Sequence, residues 1–356
     1  FLKASETWGI KGIPDNAVGW LYKVAENKTK DYFKRELIFK NKVLPNLSIE
    51  ELDKEFSIDL SDSNIKDSQL RMLFTVCNPL VSTDAQISFA LRILCGFNIE
   101  EIANALLTNK VTINKRLLRT RKVFKENSIE LLIPIKDKLN LRLDNVLLII
   151  YLLFNEGYFS STSESKVRKE LCIEAMRLLY LLLNHKPSNL PHVNALMALF
   201  CFHSSRFEAR FDEAGKIILY EDQNNNEWDN ELINKGEEYL KLSSNGDIIS
   251  KYHLEALIAF WHTRIEEEEV VKWNHILQLY NRLLQVDYSP VIALNRTYAL
   301  AKVKGREEAL QEALKIKLDN NYLYYSLLAH CYEGVDKEKE KECLELGLSL
   351  AKTDSD

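Results

Sequence analysis

Apolar residues recur every three or four positions along most of this chain, the period of a helix face turned towards a core. No stretch keeps the two-residue alternation of a strand. The pattern predicts an all-α protein. Ile87, Ala90, Leu91 and Leu94 share one face of a helix that a Thr83/Gln86 capping box opens and Gly96 closes. Asn98 caps the next helix, with Glu100 and Glu101 in the first turn, where the dipole favours acids, and Ile102, Ala105 and Leu106 on the buried side. After the turn "LTNK", a third helix carries Ile113, Leu117, Thr120 and Phe124 on one side and Lys115, Leu118, Arg119 and Lys122 on the other. A short helix, a tight turn and a second amphipathic helix predict a helix-turn-helix.

Further along, the wholly apolar run Val146 to Phe154 is nine residues long, less than half of a membrane span, and reads as a buried helix. From Ser289 onward, helix pairs recur as "PVIALNRTYALAKV", "GREEALQEALKI", "NNYLYYSLLAHCYEG" and "DKEKEKECLELGLSLAK", with pair starts near Pro290 and Asn321. That spacing approaches the roughly 34 residues of a tetratricopeptide repeat and predicts a TPR-like stack of helical hairpins.

Composition agrees. With 356 residues, 46% of them hydrophobic, and few Gly (11) or Pro (7), the chain has material for two or three helical domains. Its net charge of −5 hides a division: Phe1 to Glu126 holds 20 Lys and Arg against 16 Asp and Glu, a balance of +4, which leaves −9 for the rest. Between Glu50 and Asp67, seven acids face only Lys54 and Lys66, a linker composition whose least structured point is "SDSN" at 61–64. The predicted organisation is an amino-terminal helical piece over 1–45, an acidic linker over 46–66, the helix-turn-helix over 67–126, a connector over 127–138 and the long acidic extension over 139–356.

Between Lys110 and Lys125 stand seven Lys or Arg and no acid. A charge run alone is usually a solvated helix face, but placed on the second helix of this motif it predicts DNA binding. Thr112, Asn114 and Lys115, in the first turn, would reach base edges. Arg119 and Lys122 would lie along the backbone, Lys110 would be a further DNA contact, and Arg116, flanking the apolar face, would brace either the fold or a phosphate.

Enzyme readings find no support. No GxGxxG, GxxxxGK[ST], GxSxG or HExxH occurs, and in "DQNNNEWDNELI" Glu227 and Ile233 occupy the glycine and bidentate-acid positions of a calcium loop. The six cysteines form no CxxC pair and sit in apolar helical surroundings, so they read as reduced core thiols. His203 and His262 read as satisfied helix residues. No catalytic residue, metal or cofactor is expected. The amino end shows no export signal, so the expectation is a cytoplasmic protein with no membrane segment.

The stretch "GFNIEEIANALLTNKVTINKRLLRTRK" resembles region 4 of bacterial sigma-70-type sigma factors, which binds the upstream promoter element. The preceding "LRMLFTVCNPLVSTDAQISFALRILCGF" narrows the likeness to extracytoplasmic-function (ECF) sigma factors with a carboxy-terminal tetratricopeptide-like extension. Asn78 here replaces a His of that pattern, so the side chain need not be a metal ligand. "GIPDNAVGWLYKVAENKTKDYFKRE" resembles the later half of region 2, and "IYLLFNEGYFSS" and "ALMALFCFHSSRFEARFDEAGKIILYEDQNNNEWD" resemble parts of the extension.

The resemblance implies a factor that brings core RNA polymerase to promoter DNA, reading the upstream element by region 4 and the melted element by region 2. It implies an earlier half of region 2 before Phe1, an anti-sigma or other regulatory protein as a further partner, and a regulatory extension. Region 2 contacts would come from Lys11, Asn16, Asn27, Lys28, Lys34 and Arg35, near aromatics such as Trp8, Trp20 and Tyr32 that suit unpaired bases. Asn155 to Tyr158 would touch the other domains, unless Gly157 merely closes a helix. Two other classes fit parts of the pattern: a one-component helix-turn-helix regulator with a peptide- or ligand-sensing repeat domain, and a repeat scaffold whose basic helix binds an acidic partner.

Overall fold

A computed structural model describes residues 12–17, 19–25, 62–106, 108–134, 136–159, 165–212, 218–265, 267–316 and 318–351. Among these the protein is all-α, with no strand. It divides into two compact units, Phe1–Arg71 and Met72–Asp356. In the first, residues 19–25 are helical, and Asn16 caps them by accepting from the Gly19 N–H at 2.7 Å.

Helix α1, Asp62–Val76, begins inside the stretch read as linker, so the expectation of least structure at 61–64 is overturned for residues 62–64. Their acids and amides suit the first turn of a helix as well as they suit a loop. Helices α2 (Thr83–Ile93), α3 (Ile99–Ala105) and α4 (Lys110–Glu126) form the expected helix-turn-helix. Gly96 takes φ +79° after α2, where a side chain would strain the backbone, and Phe97 N–H returns to Leu91 O at 3.1 Å to close the helix. Asn98 and Glu101 make a reciprocal box: Asn98 Oδ1 accepts from Glu100 and Glu101 N–H at 2.9 Å, and Glu101 Oε2 accepts from Asn98 N–H at 2.6 Å.

The Thr83/Gln86 capping box does not form. Ser82 is the N-cap residue, and the buried Gln86 amide donates instead to Val81 O at 2.8 Å while accepting from Asn145 at 2.9 Å. A tertiary partner outcompetes the local cap.

The extension follows as α5 (Lys136–Phe159), α6 (Ser165–Leu183), α7 (Pro191–Ser205), α8 (Asn230–Ser243), α9 (Lys251–Thr263), α10 (Glu269–Val286), α11 (Pro290–Lys304), α12 (Arg306–Ile316), α13 (Tyr322–Tyr332) and α14 (Lys337–Leu350). Helix α7 is apolar nearly all round, with Val193 to Phe202 buried without a break, because α5, α6, α8 and α9 surround it. Phe200 stacks on Phe154 of α5 with centroids 4.0 Å apart. On α8, Gly236 leaves the space that the Phe202 ring fills, since a Cβ there would lie 2.6 Å from a ring carbon.

Past α9 the helices pair into hairpins, each packed on the next. The caps Ser289 and Asn321 stand 32 residues apart, and buried Ala293, Ala301, Ala309 and Ala313 let α11 to α13 approach closely. Upstream the regularity breaks, for between α7 and α8 the described chain makes only short 3-10 turns at Glu208–Arg210, Tyr220–Asp222 and Asn225–Glu227. Gly157 closes no helix: it is buried within α5, which continues to Phe159. All six cysteines are unpaired, and burial pushes the Cys77, Cys172 and Cys201 thiols up to about 12.

Candidate nucleic-acid interface

Asn109 starts α4 by accepting from the Thr112 N–H at 2.8 Å. Ile113, Leu117 and Thr120 are buried against the motif's other helices, and Phe124 meets Phe89 of α2 edge-on at 5.4 Å. This contact fixes the rotation of α4. Its opposite side is then exposed: Val111 (61%) and Leu118 (63%) stand among Asn114, Lys115, Arg119, Arg121 and Lys122, also exposed.

The expected contact residues separate by their partners. Lys115 and Arg119 make no ion pair among the described residues and point outward with Asn114. Lys122 pairs loosely with Glu126 on its own helix at 3.7 Å, and Lys110 pairs with Glu100 at 2.8 Å. Both pairs are exposed and weak, so either cation can exchange its partner for a phosphate. Arg116 is bound to Asp84 of α2 at 2.6 Å and is only 26% exposed, which makes it a brace between the two helices. Thr112 is half-buried. Asn16 acts as a cap, whereas Lys11, Asn27, Lys28, Lys34 and Arg35 lie outside the described residues. Arg121 and Lys125 extend the basic surface, and Val111 and Leu118 add apolar points to it. The 100° rule applied to these residues finds them too.

Sequence reasoning did not find the residues that tie the extension to this motif. Arg142 on α5 donates to Phe74 O; Asn145, one turn on, donates to Cys77 O at 2.7 Å and to Gln86 Oε1 at 2.9 Å. On α6, Arg177 donates to Leu94 O at 3.1 Å while its Nε holds Glu174 at 2.8 Å. The backbone carbonyls reached lie at or just past the carboxy ends of α1 and α2, where helix carbonyls lack internal partners and the dipole favours cations. The only advance signal is polar residues at positions 142 and 145 ahead of an apolar run.

Asn78, where the resembled pattern has a His, is 4% exposed and shapes the turn after α1 by accepting from the Leu80 N–H at 3.0 Å. Burial, and next the Asp84 charge, raise the Glu156 carboxyl, in the stretch read as a domain contact. Among the described residues, no hydrogen bond or ion pair joins the extension to Asn114, Lys115, Arg119 or Lys122 on the exposed side of α4.

Residues 142–244 match a family of unknown function, DUF6596, covering α5 to α8 and the irregular segment before α8. No solved structure matches the chain. An uncharacterized protein of Rhizobium meliloti is 32% identical over 332 residues, 92% of this chain and 78% of that protein. At that identity over that length, the chain belongs to the same protein family as the Rhizobium meliloti protein.

Proposed function

We propose that the protein is a sigma factor of the ECF type, acting in the cytoplasm to bring core RNA polymerase to promoter DNA, with α4 entering the major groove of the upstream element. One observation carries the reading. The second helix of a helix-turn-helix is locked by its apolar side and offers on the other an uncompensated Lys115–Arg119–Arg121 surface, although the protein as a whole is acidic. Lys115 and Asn114 are long or polar enough to read base edges, and Arg119 and Lys122 lie where phosphates would pass. The extension docks on the motif's other helices and leaves α4 clear, which suits a regulatory role in cis.

The test is reconstitution of the protein with core polymerase and a pool of promoter fragments. Transcription from an enriched subset, which Lys115→Ala shifts to other upstream sequences, is the expected result. Specific DNA binding without polymerase association would favour a one-component regulator, a reading helped by the motif and extension forming one compact unit. No specific DNA binding at all would refute both.

A further inference from the structure

Within the extension, Arg206 is a cation that no carboxylate among the described residues meets. Arg206, just past α7, holds its guanidinium 4.6 Å from the Tyr220 ring centre and 5.5 Å from that of Trp228. Its Nε donates to the neutral Gln223 Oε1 at 3.1 Å. Burial lowers its pKa and the neighbouring Arg210 lowers it further; the opposing influences are the tyrosines Tyr158 and Tyr220, with no acid among them. Beside it, burial and then the Arg206 charge hold His203 and His262 neutral, His262 down to about 3.

The carboxylates nearby are already engaged. Glu269 binds Lys272 and the Trp273 indole, and Glu221 binds Lys302 and Tyr298. His262 departs from the expectation of a satisfied helix residue, because its Nδ1 and the Trp228 Nε1 are buried with no hydrogen-bond partner among the described residues. Both rings lie against Tyr220, at 4.9 and 6.3 Å. Tyr220 is held in place by donating to His262 O at 2.7 Å.

A buried polar atom without a partner is rare, and a largely buried cation without a counter-charge is costly. Here two such atoms and one such cation surround a single tyrosine. Arg206, Tyr220 and His262 each keep some exposed surface, so the cluster lies close to solvent although the two unpartnered nitrogens are themselves covered. We propose that it is an oxyanion site, which takes the carboxylate or phosphate group of a small molecule. Arg206 supplies the charge, Trp228 Nε1 donates a hydrogen bond and His262 Nδ1 lies at the margin. The site is independent of the DNA-binding reading.

The test uses the full chain, titrated with inorganic phosphate and separately with succinate, each against sodium chloride at matched ionic strength, and followed by Tm and calorimetry. A saturable gain with at least one probe is expected, and which probe gives it identifies the group recognised. Arg206→Gln should abolish it, Trp228→Phe should weaken it about tenfold, the worth of one charge-assisted hydrogen bond, and Lys235→Gln on the exposed side of α8 should leave it unchanged. No gain beyond salt, or equal binding by Arg206→Gln, overturns the proposal and leaves the cluster to ordered water. Should Arg206→Gln not fold, Trp228→Phe decides, and unchanged affinity in that variant overturns it equally.

Discussion

Replacing Asn145 by Ala removes the side chain that bonds the extension to the helix-turn-helix at two points. The acceptors it leaves are the carbonyl of Cys77, a residue with 0% exposure, and the Gln86 amide oxygen, on a residue with 3% exposure, so water cannot readily replace the lost partner. A buried acceptor stripped of its donor costs about 1–3 kcal/mol, and Asn145 itself is half-buried and recovers little hydration in the unfolded chain, so we expect a loss of about 2–4 kcal/mol. Urea titration of the full chain measures it. Hydrogen exchange reports where it falls, and protection should drop in residues 73–91 more than in α11 to α14. The double variant Gln86→Leu/Asn145→Leu should be less destabilised than the two single changes combined, by about 1 kcal/mol, because it removes donor and acceptor together. A cost of Asn145→Ala below about 0.5 kcal/mol, the level of an ordinary surface change, with unaltered exchange in residues 73–91, would show that these bonds do not couple the two parts.

Lys115→Ala should alter which upstream sequence is bound, by about 1–3 kcal/mol at one base pair, while Arg119→Ala should weaken all sequences alike and reduce the salt slope by about one; equal, sequence-blind losses in titrations across duplex variants would remove Lys115 from base reading. Burial pushes the Glu255 carboxyl from 4.5 up to about 7, with Tyr151 and Lys251 opposing the shift. A raised carboxyl contributes stability that is complete below its unfolded value and lost as pH rises through the folded one. The protein should therefore lose up to about 3 kcal/mol between those two pH values, and Glu255→Gln should flatten that slope in urea titrations. Gly236→Ala should cost about 1–3 kcal/mol by driving a methyl into the Phe202 ring, and Phe202→Leu in the same chain should recover part of it in thermal denaturation; a neutral Gly236→Ala would mean that α7 and α8 separate easily.

Much of the helix-turn-helix was legible because its determinants are local. The Asn98 cap, the left-handed Gly96 and the buried row Ile113, Leu117 and Thr120 depend on residues three or four positions apart, a distance over which a helix imposes its own geometry. The same rule placed Lys115 and Arg119 outward. The hairpins beyond Ser289 were legible for a similar reason, since each pair packs mainly on its sequence neighbours.

What the tertiary structure alone decided are choices between equivalent local options. Gln86 could cap its own helix or bond Asn145, 59 positions away, and burial of the Gln86 side chain beside Asn145 settles it. Arg116 could face a phosphate or Asp84, and the packing angle of α4 on α2 brings the carboxylate within 2.6 Å. His262 reads as a satisfied helix residue until Arg206 and Trp228, from other parts of the chain, gather with it around Tyr220. Sequence spacing assigns a residue to a face of its own helix; which groups from elsewhere meet that face depends on how distant helices cross, and no local period records it.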